Sequence, residues 1–591
     1  RALRERKGVW SEMNGAILHV DLTTGTHLVL NDPELFGEFL GGTAVATELL
    51  FRHGDPQGDP LSPESPVIFA IGPFSSLFPV ATKTVAMFKS PLSGELGESH
   101  AGGRMAMSLH EAGIHALVIT GRAEKLSYLV IENDTAALKS ASTFRRQSAA
   151  ATERILREAE GKSGRKVSIL RIGPAGERLS SMACATVDGS RHFGRLGLGA
   201  VLGSKNLKAI VVSGTRTLPL ARPKEFKAVY DILYDRVVKS KEMKKYHDLG
   251  TPANVRPLSL IRGLPTRNFS QGNFEGSVAI SGERFAKDFL VQHTACAHCQ
   301  CGCIHMAELR EEFAPYHYST NRVSYDYELI YAMGSMLSLS SPEDILKLLL
   351  FTEKQGWDAI SLGCTLAWAT ESFLHGVLSL EDTGGVSLSF GDCAAYLEVL
   401  ERMAKGENEF YRDLEKGCAF CAKKRGGLEW AIQYGGVEPG GYMTGENFAV
   451  TCLLGVRHSH LDDNGYSIDQ NLLNASKPLE EQVRAQVKEA RWRMVLNSLV
   501  ICLFARGVYD EEIILQGLDA LGARRDAAKL HELAAKALLR KYEWKKSCGF
   551  DPAALVVPEK MYSVQTSTGM LDRERLAERI RLYLKEAGID G

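Results

Sequence analysis

The chain has 591 residues, 45% of them apolar and 24% charged, with a formal net charge of −1. That length exceeds what one hydrophobic core organises and implies two to four domains. The charge balance gives no electrostatic footprint for a nucleic-acid partner. Twelve cysteines in 591 residues are too sparse for a small secreted disulfide scaffold.

The first residues, "RALRERKGVWSE", are basic, but no apolar stretch follows them. They read as neither a secretory nor a twin-arginine export signal, and Met13 reads as a possible natural start. Eight short apolar or alternating runs follow: "GAILHVDL", "THLVL", "PVIFAIGP", "KTVAMFK", "ALVITGR", "SYLVIEN", "KVSILRIG" and "KAIVVSG". Gly, Pro, Asn and Asp punctuate them, the pattern of short strands. A helical piece, "RMAMSLHEAG", lies among them. "IGP" recurs at 71–73 and 172–174, each time after an apolar run, which hints at two related halves.

Beyond "TRTLPLARP" (215–223) the periodicity turns helical, in "KEFKAVYDILYDRVVKSKEMKKY", "SPEDILKLLLFTEKQG", "DCAAYLEVLERMAKGENEF", "PLEEQVRAQVKEARWRMVLNSLVICLF" and "DRERLAERIRLYLKEAG". "SPED" is a helix start, with Ser341 as cap, Pro342 in the first turn and acids near the positive end. The Gly/Pro-rich "GGVEPGGYMTGEN" (435–447) reads as a loop and a second boundary. The expected fold is α+β: a β-rich domain over 1–214, a helical domain over 215–434 and a second helical domain over 435–591. The longest apolar stretch, "MVLNSLVICLFA" at 494–505, holds 12 residues against the ~18 a membrane span needs. A cytoplasmic location is the default expectation.

The densest chemical signal is "TACAHCQCGCIH" at 294–305, which carries four of the twelve cysteines. Structural zinc sites normally use two separated pairs of ligands. Cys296, Cys299, Cys301 and Cys303 stand too close together to wrap one tetrahedral ion easily. Omitting Cys301 leaves C-x2-C-x3-C, three thiolates on a tight loop that suit three irons of a cubic cluster, with a remote thiolate for the fourth. Zinc with His298 or His305 as further ligands stays open on spacing, as do buried thiols without metal. The remote cysteine is one of Cys184, Cys364, Cys393, Cys418, Cys421, Cys452, Cys502 and Cys548, and spacing does not choose among them. "CAFC" at 418–421 reads more readily as helix packing than as a redox pair.

Several stretches stand in the order and at the separations of one known family: "HVDLTTG", "DPLSPES", "KSPLSGELGESHAGG", "LVITGRAEK", "IGPAGE", "GRLGLGAVLGSKNLKAI", "GTPANV", "RNFSQG", "CAHCQCGC", "DYELIYAMG" and "NSLVICLF". The chain resembles the tungsten-containing aldehyde:ferredoxin oxidoreductases over about residues 13 to 590. The resemblance implies an N-terminal domain of two β-sheets forming a base for the cofactor, covered by two helical domains. It implies tungsten, or molybdenum, held by two molybdopterins, possibly with a magnesium ion bridging their phosphates, and one [4Fe–4S] cluster on Cys296, Cys299, Cys303 and Cys502. Cys301 then becomes a bystander. Carried over residue by residue, Glu328 is the catalytic glutamate and His460 the active-site histidine, with His458 competing. Arg195 and Lys83 fall on cations at the cofactor, and Gly102 and Gly103 on a turn where backbone approaches the pterin. An alternative for Arg195 is a plain ion pair with Asp188.

The family's two D-x-x-G motifs, whose aspartates accept hydrogen bonds from the pterins, read here as Glu353 to Gly356 and Asn497 to Val500. Asn497 is a neutral and therefore weaker acceptor. The implied activity is oxidation of a small aldehyde to the acid with water, with electrons passing to ferredoxin. The rival within the family is a catalytic subunit working with ferredoxin-like partners, possibly on an aromatic thioester. The rival outside it is a zinc-stabilised binding protein. A homodimer or hetero-oligomer is the expected assembly.

Overall fold

The structure, a computed structural model, describes residues 15–161, 166–217 and 220–589. Met13 lies outside the described residues. All eight runs read as strands are strands. They are β1 (Ala16–Asp21), β2 (Thr26–Asn31), β3 (Val67–Ala70), β4 (Thr84–Lys89), β6 (Ala116–Thr120), β7 (Ser127–Glu132), β9 (Val167–Ile172) and β12 (Leu207–Ser213). The pattern missed β5 (Leu96–Ala101), β8 (Thr135–Ser140), β10 (Ala185–Val187) and β11 (Arg191–Phe193). β5, "LGESHA", lacks the β-branched residues that mark a strand.

The strands form two six-stranded sheets, ordered β2-β1-β6-β3-β4-β5 and β11-β10-β9-β12-β7-β8. Read from β8, the second sheet repeats the first. β1 is antiparallel to β2 and parallel to β6, as β7 is to β8 and β12. The chain β6-β3-β4-β5 is antiparallel throughout, as is β12-β9-β10-β11. The two "IGP" stretches follow the equivalent strands β3 and β9, so the hinted halves share one topology.

Alternate side chains decide the layering. Val67 and Phe69 of β3 join Leu170 and Ile172 of β9 in a core between the sheets, while Ile68 and Ala70 point into the main core of the molecule. On the far face of the second sheet, Ile169 and Val211 pack with Leu156 of the helix Ala149–Ala159.

The remaining described chain is mainly helical, as expected, with local differences. The run 224–246 breaks at Ser240, whose hydroxyl accepts from the Met243 N–H and starts a second helix, Lys241–Asp248. The cysteine-rich loop is flanked by a three-stranded sheet, β13 (Leu290–Thr294), β14 (Ile304–Ala314) and β15 (His317–Tyr325), inside the segment read as helical. Ser341 caps the helix Pro342–Gln355 and accepts from the Asp344 N–H, and Gly356 ends that helix at φ +79°. The helix Leu479–Ser498 stops before the "VICLF" read as its continuation. Val500 takes φ +56°, a strained conformation for a β-branched residue that cannot extend a right-handed helix. Cys418 and Cys421 are buried in the helix Cys418–Arg425, and the Cys421 thiol donates to the Asp413 carbonyl. That is the packing role expected of them.

Helix Gly42–His53 packs on the first sheet and against helix Leu479–Ser498. Gly42 has φ +46°, and a Cβ there would lie 2.2 Å from the Asn497 carbonyl oxygen. Gly42→Ala therefore forces the seam open next to Cys502. It should destabilise the fold by about 1–3 kcal/mol, measured as a fall in the urea midpoint.

Candidate active site

Four segments distant in sequence are tied by backbone hydrogen bonds around the cysteine loop. The Val80 N–H donates to the His298 carbonyl, and the Val80 carbonyl accepts from the Cys502 N–H, both at 3.1 Å. The Lys83 N–H donates to Val500 (3.2 Å), and the Ala297 N–H donates to Gly103 (3.0 Å). Val80, His298 and Val500 all have φ between +56° and +64°. Such conformations persist where surrounding structure imposes them, and they concentrate at functional sites. A Cβ on Gly102 would lie 2.4 Å from the Cys296 Sγ. The tight approach that glycine permits is thus to the cysteine loop.

The thiols of Cys296, Cys299, Cys303 and Cys502 share one electrostatic neighbourhood. Burial, then the charges of Cys296 and Cys502, push Cys299 up to about 12. Burial and the Cys303 and Cys296 charges also raise Cys502, against the pull of Lys83. Burial works against the Lys83 ammonium, but Cys502, Cys296 and Cys303 outweigh it and hold its pKa above the usual lysine range. Cys301 points its thiol at the Met243 carbonyl, 3.5 Å off, yet it also bonds the Cys303 thiol and is the leading cause that pushes Cys303 up. Among the described residues no three His, Cys, Asp or Glu side chains are grouped as a single metal ion would need.

Beside this cluster of thiols opens a cavity of about 410 Å³ between the β-rich part and the helical cover. Cys303, Arg195, Glu328, Glu353 and His460 all line it. Gly356 and Asn497 are not among its lining residues. Gly356 instead packs within 3.1 Å of Gly173, measured from an ideal Cβ, and the buried Asn497 amide nitrogen has no hydrogen-bond partner.

Glu328 sits in the first turn of the helix Tyr327–Met333, which Asp326 caps. One carboxylate oxygen accepts from the Gly441 N–H at 2.8 Å. The other lies 3.4 Å from the His460 Nε2 and has no hydrogen bond. Burial, helped by Asp326 and Asp358, raises Glu328 to about 8. Burial, helped by Arg195 and Arg493, lowers His460 to about 3, so the pair faces the cavity as neutral groups near pH 7. His458, the competing histidine, is engaged elsewhere. It bonds the Cys452 carbonyl (2.8 Å) and Lys545 (2.9 Å) beside Glu95. Burial lifts Glu353 to about 7 against the pull of Arg171 and Arg191. Its carboxyl can therefore donate as well as accept a hydrogen bond.

Arg195 does not pair with Asp188. Its Nε donates to Asp358 (3.0 Å) and its Nη2 to the Glu438 carbonyl (2.7 Å), while Nη1 is buried with no partner. Asp188 instead accepts from the backbone of Arg104 and Ile169. Gly102 directly follows β5, and Gly194 with Arg195 directly follows β11, the equivalent strand of the second half. The sequence reading missed Arg191, Arg457, Arg493 and Arg506, which also line the cavity. Only Arg191 had a legible signal, four residues before Arg195 in "RHFGR".

Residues 17–214 match the profile "Aldehyde ferredoxin oxidoreductase, N-terminal domain", and residues 229–591 match "Aldehyde ferredoxin oxidoreductase, domains 2 & 3". The chain belongs to the aldehyde ferredoxin oxidoreductase family. It is 32% identical to the tungsten-containing aldehyde ferredoxin oxidoreductase of Pyrococcus abyssi over 438 residues, 72% of this chain and 68% of that one. It is 29% identical to the aliphatic sulfonate oxidoreductase, WOR-like subunit, of Pyrococcus furiosus over 67% of this chain and 64% of that one. Its fold is also that of the active site complex BamBC of benzoyl coenzyme A reductase, with a TM-score of 0.81 and 18% identity over 97% of this chain and 94% of that chain.

Membership makes the chain an oxidoreductase and implies a tungsten-pterin and an iron–sulfur cluster. The orphaned Arg195 Nη1, the free Glu328 oxygen and four crowded thiols are what such groups would engage. Among the described residues no helix is long and apolar enough to cross a membrane.

Because Glu328 holds its proton up to about pH 8 when folded and loses it near 4.5 when unfolded, the folded state binds the extra proton between those values. Stability from this residue therefore falls as pH rises from 4.5 to 8, by about 1.4 kcal/mol per pH unit at most. Urea unfolding of metal-free wild type and Glu328→Gln should converge at low pH, with wild type losing ground toward pH 8.

Proposed function

We propose that the chain oxidises small aldehydes to carboxylic acids with water and passes the electrons through a [4Fe–4S] cluster to ferredoxin or a ferredoxin-like subunit. The observation that carries this reading is the Glu328–His460 pair: a carboxyl oxygen without a hydrogen bond, on a group whose pKa is raised to about 8, lies 3.4 Å from a neutral imidazole in the cavity wall. The overall change takes one water and one aldehyde to the acid, two protons and two electrons. A dithiolene-bound tungsten supplies two-electron oxidation, and a cluster passes electrons on singly.

The chain's own residues handle positioning and protons. The ionised fraction of Glu328 removes a proton from water as the oxygen attacks the carbonyl carbon, and a proton affinity near the working pH suits that task. The Gly441 N–H holds one of its oxygens so that the other faces the cavity. A neutral His460 keeps an N–H that can donate to the carbonyl oxygen and stabilise its developing charge. The Tyr327 hydroxyl donates to the Gly441 carbonyl, which holds the other side of the residue whose N–H orients Glu328. Arg195, anchored on Asp358 and Glu438, offers its unpartnered Nη1 to an anionic group of the pterin. Cys296, Cys299, Cys303 and Cys502 would hold the cluster, with the Lys83 ammonium offsetting thiolate charge. Glu353 would bond a pterin N–H through its carboxyl.

A partner subunit is favoured by the company the chain keeps. One relative is named a WOR-like subunit, and the structural neighbour is a complex. Co-purification of a small cysteine-rich polypeptide from the native source would identify it.

The activity is tested by anaerobic dye reduction with aliphatic and aromatic aldehydes, beside elemental analysis for tungsten, molybdenum, iron and zinc. Wild type should reduce dye with an aldehyde. Glu328→Gln should be slower by about 10²–10⁴-fold at equal metal content. Zinc alone, without tungsten, molybdenum or iron, would remove the reading. For the ligands, Cys502→Ser should lose iron while Cys301→Ser retains it. Equal loss in both variants would refute the assignment.

A further inference from the structure

Four cysteines stand in the loop at 296–303, and the cluster takes three of them. Cys301 is left over. It is nearly closed to solvent, 4% exposed, with its thiol on the Met243 carbonyl and its own carbonyl on the His247 ring at 2.9 Å. Cys303, two residues on, is half-buried and lines the cavity. The two thiols are hydrogen-bonded to each other. The other thiols of the site act on one another by charge, Cys296 and Cys502 on Cys299, and Cys303 and Cys296 on Cys502.

Chain geometry puts a bond between Cys301 and Cys303 within reach. Two residues of fully extended chain span about 7 Å. Gly302 between them takes φ +61°, which turns the chain and brings the two Cα atoms closer than that limit. A disulfide accepts Cα separations of roughly 4.4–6.8 Å. A ring closed over one intervening residue is strained, and strained disulfides are the readily reduced, regulatory kind.

Exposure sets the order of events. A small oxidant in the cavity meets the Cys303 sulfur, while Cys301 stays covered behind it. The Cys301 contact, then burial, hold the Cys303 thiol above its usual range, against the pull of Arg191 and Lys83. Thiolate is the reacting form, so this oxidation is slow.

We infer that Cys301 is a resolving cysteine, which closes a reversible disulfide on Cys303 when the cluster is lost in the presence of peroxide. The inference rests on the reading of Cys303 as a cluster ligand. In the first step the peroxide O–O bond breaks, one oxygen bonds the Cys303 sulfur to give a sulfenic acid, and water leaves. In the second the Cys301 sulfur attacks that sulfur, the S–S bond forms as the S–O bond breaks, and a second water leaves. Two thiols are oxidised and one peroxide is reduced to two waters. Without a resolving thiol the sulfenic acid proceeds to sulfinic and sulfonic acids, which thiol reductants do not restore. The disulfide thus keeps a cluster ligand recoverable.

Iron-free wild type and Cys301→Ser are prepared anaerobically with a chelator and dithiothreitol. The dithiothreitol is removed, and both are treated for several hours with a small excess of hydrogen peroxide. Tandem mass spectrometry of the tryptic peptide 288–310, cut without reduction, reads the result. Wild type should carry a bond between Cys301 and Cys303. Cys301→Ser should carry Cys303 as sulfinic or sulfonic acid. After dithiothreitol, iron and sulfide are added, wild type should regain at least about threefold more iron than Cys301→Ser. Before peroxide the two should load equal iron, and Cys301→Ala should behave as Cys301→Ser.

Peroxide-treated wild type with Cys303 unpaired, or paired with Cys296, Cys299 or Cys502, would overturn the inference. Equal iron recovery in wild type and Cys301→Ser would do the same. The disulfide map is made on wild type and does not depend on how a variant folds. Should Cys303→Ser load as much iron as wild type, the ligand reading falls, and the map still decides whether the two thiols pair.

Discussion

A single residue, Val80, joins the two parts of the chain that would have to meet for any of this chemistry to occur. Its N–H reaches the cysteine loop at His298, and its carbonyl receives the N–H of Cys502. The two cysteine segments are some two hundred residues apart, and closing so long a loop carries an entropic cost that local contacts must offset. Backbone hydrogen bonds from the β-rich part do this at both ends, because Lys83 also holds Val500 and Gly103 also holds Ala297. The left-handed backbone at Val80, His298 and Val500 shows that the tie is kept against local preference. Each such residue costs on the order of 1–3 kcal/mol.

The same base shapes the cavity. Its two sheets repeat one topology, and the equivalent strands β5 and β11 each end in a glycine turn at the site. One turn brings Gly102 against Cys296, and the other delivers Arg195 to the cavity wall. The helical cover supplies the acids and the histidine from three separate segments. Burial then sets their protonation. It moves Glu328 to about 8, Glu353 to about 7 and His460 to about 3. Desolvation is the leading cause in all three. The cavity therefore presents neutral hydrogen-bonding groups in Glu328, Glu353 and His460, while Arg195, Arg457 and Arg493 each pair with a carboxylate.

Much of this was legible in the sequence, for identifiable reasons. Short β-branched runs between turn residues gave eight strands correctly, and the repeated "IGP" pointed to halves that share a topology. The strand β5 escaped because its burial comes from tertiary position, with Gly97, Glu98 and Ser99 in its middle. Helical periodicity carried "RWRMVLNSLVICLF" too far, since nothing local warns that Val500 turns left-handed. Choosing between His458 and His460 required knowing that Lys545 and Glu95 hold the first. Asn497 was expected at the cofactor through its motif; its side-chain amide nitrogen is buried without a partner, and its backbone carbonyl faces Gly42. Arg457, Arg493 and Arg506 were hidden because an arginine carries no local pattern, and only folding brings them to the cavity.

The account depends on thiols from residues 296–303 and 502 binding one iron cube. The most direct measurement is X-ray diffraction from anaerobically grown crystals, collected on both sides of the iron absorption edge. An anomalous iron peak bonded to the sulfurs of Cys296, Cys299, Cys303 and Cys502, with Cys301 unbound, is the predicted result. A lone tetrahedral ion on the 296–303 loop, or iron density that leaves Cys502 free, would contradict it.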